Sequence, residues 1–182
     1  MIHELVSSSD PILRQAMDKF DFYITPTDPI QLAKDLAETM IANDGLGLAA
    51  NQIGLPYRAF AIKAEQVIVC FNPTIVSSSQ EIVALEEGCL SYPNLYVKIK
   101  RSKSIRVRYT QPNADIVTKT FDGLTARIFQ HELDHLNGKV YTSRASGIHL
   151  ERARKLAKHV KKIGGNKPMS NEAKELWEWL KV

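Results

Sequence analysis

His131-Glu132-Leu133-Asp134-His135 is the stretch of this chain best equipped for chemistry. On a helix, residues four apart share a face, so both imidazoles can reach one metal ion. Glu132 follows the first histidine and can reach a water on that metal as a general base. The pattern by itself is short and recurs by chance. Each histidine taken alone reads equally as a hydrogen-bonded structural residue.

A catalytic metal needs a third protein ligand and one open position. Of the five histidines, His3, His149 and His159 remain. The last two fall in a basic segment, where a solvated role is expected. The other candidate is Cys89, in Glu87-Gly88-Cys89-Leu90-Ser91. A thiolate is a good transition-metal ligand; the alternative for a free cysteine is a small buried hydrophobe. Cys70 takes that second reading, since it sits in the apolar run VIVCFNP. Cys89 is expected in a non-alternating loop with Glu86, Glu87, Ser91 and Pro93. A third stretch, Gly45-Leu46-Gly47-Leu48-Ala49-Ala50-Asn51-Gln52, lacks the ending of a phosphate loop. Its small residues allow a substrate backbone to approach closely, and Gln52 can offer an amide N–H to a developing oxyanion.

The elements that must hold these groups are legible in outline. Asp28 and Pro29 mark a helix start, with Gln31 placed for a capping box and Leu32, Leu36 and Met40 at helical spacing. That helix ends before Asn43-Asp44-Gly45, and a loop is expected from Gly45 to Gly54. Residues 57–76 read as strands, with further strands over Glu81–Leu85, Tyr96–Lys100, Ser104–Tyr109 and Asp115–Phe121. Apolar and basic residues alternate in VKIK and IRVRY, which puts Lys98, Lys100, Arg106 and Arg108 on a solvated sheet face. A second helix starts near Asp122-Gly123 and stops at Asn137-Gly138. On it Leu124, Ile128, His131 and His135 share one stripe, and Phe129, Leu133 and Leu136 another. A third helix spans roughly Gly147 to Lys162. The tail from 164 to 182 is read as a separate short amphipathic helix, on which Trp177 and Trp179 cannot share a face.

The chain has 182 residues, 44% hydrophobic and 24% charged, with a net charge of +4. That fits one soluble domain able to bury a core without staples, and such mild basicity does not imply nucleic acid. Two cysteines exclude a disulfide-rich scaffold. Neither a secretory signal nor an apolar run of the ~20 residues a bilayer requires is visible. A cytoplasmic protein without membrane association is expected.

Taken together, Gly45–Gln52, Glu87–Ser91 and Gln130–Leu136 resemble, in order and separation, the three motifs of peptide deformylases: GxGxAAxQ, EGCLS and QHExDHL. The resemblance covers roughly residues 1–160. It implies an α+β fold, with mixed and antiparallel sheets around a central helix carrying HExxH, followed by a basic C-terminal helix. Residues 1–163 would form one catalytic domain and 164–182 an extension. The implied activity is removal of the formyl group from the formyl-methionine of nascent peptides. Cys89, His131 and His135 would hold one divalent metal: Fe²⁺ natively, with Zn²⁺, Ni²⁺ or Co²⁺ able to replace it. Glu132 would move the proton, and Gln52 and the N–H of Leu90 would stabilise the oxyanion. Leu46, Gly47, Glu87, Leu124, Arg127 and Ile128 would contact the substrate. Arg127 stands where the resemblance leads one to expect an apolar pocket wall; its stem is read as lining that pocket while its guanidinium reaches water.

The resemblance further implies a monomer whose basic helix, residues 149–162, contacts the ribosome. Two rivals remain: another HExxH metallopeptidase, which would recruit a third His or a Glu, and a module holding metal only for structure, which would need neither Glu132 nor Gln52.

Overall fold

Asp28 opens the first helix as its sequence predicts. Its carboxylate accepts the N–H of Ile30 at 3.0 Å and Pro29 takes the first helical position, giving α1 over Pro29–Ala42. Gln31 does not complete a capping box, because its amide donates along the helix to Asp35 at 2.7 Å. Leu32, Ala33, Leu36 and Met40 form the buried face.

The computed structural model describes residues 1–162; the extension expected over 164–182 lies outside the described residues. After α1 come β1 (Gly47–Ala49), a 3-10 turn over Ala50–Ile53, β2 (Ala59–Lys63), β3 (Val67–Ser78), β4 (Ile82–Cys89), β5 (Tyr92–Ser102), β6 (Ser104–Thr110) and β7 (Ile116–Asp122). Then follow α2 (Gly123–Leu136), a 3-10 turn over Tyr141–Arg144, and α3 (Gly147–Lys162). One sheet has the order β1-β2-β3-β6-β7, and β4-β5 form a separate hairpin. Every pair among the described residues is antiparallel. The architecture is α+β.

Two local expectations are corrected. The segment Gly45 to Gly54 is not all loop, because Gly47–Ala49 pairs with Phe60–Ile62. Cys89 is not in a loop either: it ends β4, opposite Tyr92. In both places the extended backbone comes from a pairing partner, and the sequence carries no alternation of its own to announce it.

Helix α2 lies between these layers. Ala126, Phe129, Leu133 and Leu136 pack with Phe60, Ile105, Val107 and Tyr109 of the sheet. The rings of Phe60 and Phe129 meet edge-on at 5.0 Å. The helix ends at Asn137; Gly138 follows with φ 68° and lies so close to the carbonyl of Arg14 that a Cβ would sit 2.7 Å from it. Arg58 closes this end from β2's side, donating to the Leu136 carbonyl at 3.2 Å and to Asn137 Oδ1 at 3.0 Å. The alternating strands behave as read: Lys98, Lys100, Arg106 and Arg108 are exposed, and Val97, Ile99, Ile105 and Val107 are buried. Helix α3 rests Leu150 and Ala153 on the Val97, Ile99 and Tyr141 cluster.

Candidate metal centre and active site

α2 brings His131 and His135 onto one face, as their spacing requires, with ring centroids 5.1 Å apart. The end of β4 brings Cys89 to them. Its Sγ is 3.2 Å from His135 Nε2. One donor atom from each of Cys89, His131 and His135 falls within 4.8 Å of the others. No other such group of histidine, cysteine or carboxylate occurs among the described residues. His149 and His159 are exposed on α3, and His3 pairs with Asp35 of α1. Cys70 is fully buried, and burial pushes its thiol pKa well up.

The donor set suits a divalent transition ion: one sulfur and two imidazoles, three protein ligands of the kind a catalytic centre uses. The orientation of His131 agrees. Its Nδ1–H donates to Glu87 Oε2 at 3.0 Å, which leaves Nε2 for a metal. Burial works against a charged His131, but hydrogen bonds to Cys89 and Glu87 outweigh it and raise its pKa well above the ordinary value. Surroundings that favour a proton there favour a cation. His135 is pushed the other way, by burial and then by the charges of His131 and Arg101, toward the neutral ligand form.

Glu132 sits between the two histidines in sequence and is 4% exposed. Its Oε2 is buried without a hydrogen-bond partner. Burial is the main cause that lifts its pKa to about 7, where a carboxylate can both take and return a proton. Gln52, in the 3-10 turn after β1, is fixed by the backbone three residues before it: its Oε1 accepts the Ala49 N–H at 2.8 Å. Its Nε2 donates to Ser91 Oγ at 3.1 Å and lies 3.5 Å from Cys89 Sγ. Leu90 follows Cys89, with its side chain against Gly45. Leu46 and Leu124 are partly buried against the main core, and Ile128 is buried within it. β1 is an edge strand of its sheet.

Two of the residues expected at the substrate have their polar groups taken up by protein partners. Glu87 is buried, and both its oxygens are occupied by Arg101, Arg127 and His131. Arg127 does not send its guanidinium to water. It is 6% exposed and donates to Glu87 Oε1 and to the carbonyls of Ile99 and Val83. Both residues are committed to the wall behind the histidines.

That wall holds groups the motif reading missed. Arg101 grips Glu87 with two bonds of 2.8 Å and reaches Asp134 Oδ2 at 2.6 Å. Despite burial, Arg101 and His131 hold the Glu87 carboxyl far below the usual carboxylate range. Arg144 also grips Asp134. Asn51 Nδ2 donates to the His135 carbonyl at 2.8 Å. One signal was available: continuing the alternation of Val97 and Ile99 puts Arg101 on the inward face.

A model of the polypeptide deformylase family matches residues 2–151. A peptide deformylase from Pseudothermotoga lettingae is 40% identical over 141 residues, covering 78% of this chain and 81% of the relative. The crystal structure of a peptide deformylase from Legionella pneumophila superposes with a TM-score of 0.80 at 31% identity, covering 92% of this chain and 100% of that one. A class I type b peptide deformylase from Acinetobacter baumannii, with Met-Ala-Ser bound, gives 0.75 at 28% identity over 79% of this chain and 98% of that one. With its motifs, fold and donor cluster in agreement, this chain belongs to the peptide deformylase family, metal-dependent hydrolases that remove the formyl group from the N-terminal formyl-methionine of polypeptides.

Proposed function

We propose that Cys89, His131 and His135 hold one divalent metal ion, Fe²⁺ natively, with Zn²⁺, Ni²⁺ or Co²⁺ as working substitutes. The observation that carries this reading is the convergence of those three donors beside a buried carboxylate with an unpartnered oxygen. When bound, the metal supplies Lewis acidity, which lowers the pKa of water toward ~7 and polarises a carbonyl.

The chain's own groups do the rest. Glu132 takes the proton of the attacking water at its free oxygen and returns it to the leaving amine nitrogen. Gln52 Nε2 and the N–H of Leu90 donate to the oxyanion as the formyl carbon becomes tetrahedral; one such donor contributes ~3–4 kcal/mol. The substrate backbone aligns as an added strand along Leu46 and Gly47 at the edge of β1, with Leu124 and Ile128 beside the methionine side chain. Glu87 and Arg127 hold the histidine wall and do not touch the substrate.

The nascent chain is the substrate, met in the cytoplasm by a monomer that docks on the ribosome through residues 149–162. No helix among the described residues is long and apolar enough to cross a membrane. The test is incubation of anaerobically purified, iron-loaded protein with a formyl-methionyl tripeptide. Formate release that a chelator abolishes supports the reading; cleavage of an internal peptide bond without formate would favour a metallopeptidase, and neither activity a structural metal.

A further inference from the structure

Arg127 brings a buried cation to a carboxylate that is already neutralised. Arg101 meets Glu87 with two parallel bonds, and burial disfavours a second charge beside it. The guanidinium of Arg127 nevertheless reaches Glu87 Oε1 at 2.6 Å. Its remaining bonds go to main chain: the Val83 carbonyl at 2.6 Å and the Ile99 carbonyl at 3.1 Å. Val83 and Glu87 belong to β4, Ile99 to β5, and Arg127 itself to α2. One side chain therefore ties both strands of the hairpin to the helix.

The proposed ligands come from the same two bodies: Cys89 ends β4, and His131 and His135 lie on α2. The pairing of β4 with β5 is irregular between Glu87 and Cys89, so the ladder alone does not fix the thiol. Arg127 pins β4 at two points on the approach, the Val83 carbonyl and the Glu87 side chain. The links through Gln130 to Ser102 and through Asp134 to Arg101 attach to β5; His131 also reaches β4 at Glu87, but it is itself one of the imidazoles to be positioned.

We infer that Arg127 is a positioning residue: it clamps the β4–β5 hairpin to α2 and so sets the Cys89 sulfur relative to the two imidazoles. This rests on the ligand assignment proposed above. Arg127 acts through Glu87 and the hairpin backbone, and it touches no reacting atom. Loosening the clamp shifts the sulfur and, with it, the adjoining N–H of Leu90.

The test uses the Co²⁺-loaded protein, whose visible bands and sulfur-to-metal charge-transfer band report ligand geometry. Arg127→Met keeps the stem and removes the fork. It is expected to fold, to alter both sets of bands, and to release metal to a chelator ~10–100-fold faster, the usual cost of losing a group that supports a ligand. With iron, kcat should fall more than KM rises. Arg127→Lys can reach Glu87 but cannot fork to both carbonyls, so it should fall between. Parent-like bands and release within twofold in Arg127→Met would overturn the inference. Should Arg127→Met fail to fold, Arg127→Lys decides by the same readings. Cys89→Ala runs in parallel: if it kept the charge-transfer band, the ligand assignment would fail and this inference with it.

Discussion

Glu132 Oε1 occupies the space that a side chain on Gly47 would need: a Cβ there would clash with it and lie 2.7 Å from the carboxyl carbon. The glycine of β1 and the carboxylate of α2 are thus fitted to each other. Gly47→Ala should displace the carboxylate while leaving Cys89, His131 and His135 in place. Turnover of a formyl-tripeptide should fall at least ~100-fold, the lower range for one positioned acid–base group, with metal content unchanged. Parent-like turnover would show that Glu132 works equally well from another position.

Glu132→Gln keeps the shape and removes the proton acceptor. Metal should stay at the parent level and turnover should again drop at least ~100-fold. The fold should not suffer. The Glu132 pKa, about 7, stands above the ordinary 4.5 because of burial, so ionisation at neutral pH opposes folding of the metal-free protein. A neutral amide removes that opposition. Metal-free Glu132→Gln should therefore melt no lower than the metal-free parent at pH 7.5. A clear drop in Tm would mean that the carboxylate has a structural partner.

The spacing of His131 and His135, the apolar faces of the helices and the outward cations of β5 and β6 were readable because helix and strand each impose a fixed period on neighbouring residues. The wall behind the histidines was not. Glu87, Arg101, Arg127 and Asp134 come from β4, β5 and α2, and nothing in the chain between them states that they meet. Arg127 was misread for that reason: a long cation on a helix has a default route to water, and only tertiary packing supplies the inward partners. Cys89 was placed in a loop because its extended backbone depends on β5 opposite.

Arg101 is the hub of that wall. It is buried between Glu87 and Asp134, which keep its guanidinium charged in spite of burial. Arg101→Met would leave Glu87 short of its bidentate partner. Breaking a buried pair on one side costs about 3–5 kcal/mol, so the urea midpoint should move down by a corresponding amount. A loss under ~1 kcal/mol would mean that Arg127 and Arg144 carry the two carboxylates by themselves.

The two cysteines should separate cleanly. Cys70 is fully buried among apolar neighbours of the sheet, so Cys70→Ala should cost roughly 1 kcal/mol of packing and keep its metal. Cys89→Ala should lose tight metal binding. Metal content after dialysis decides it, and equal metal in both variants would remove Cys89 from the site. Air should inactivate the iron-loaded parent as iron or the Cys89 thiolate oxidises.

The last expectation concerns α3. Leu150 and Ala153 rest on the hairpin cluster and Val160 is buried, so one face of the helix is committed to the core. Arg152, Arg154, Lys155, Lys158 and Lys162 are exposed. Glu151 is the one acid in this segment, and it pairs with Lys155 at 2.8 Å. Such an exposed pair contributes little, so the cations remain available to a polyanion. Ribosomal RNA is one, and each neutralised phosphate releases counterions, which makes binding salt-dependent. Co-sedimentation with bacterial ribosomes should fall steeply between low and high salt. Reversing Lys155, Lys158 and Lys162 to Glu should weaken it and flatten the log–log salt slope by roughly 2 to 3. Turnover of a free formyl-tripeptide should be spared, since these side chains point away from the core that carries the site. If the reversed variant sediments like the parent at every salt concentration, α3 is a solvated basic helix and docking takes place elsewhere.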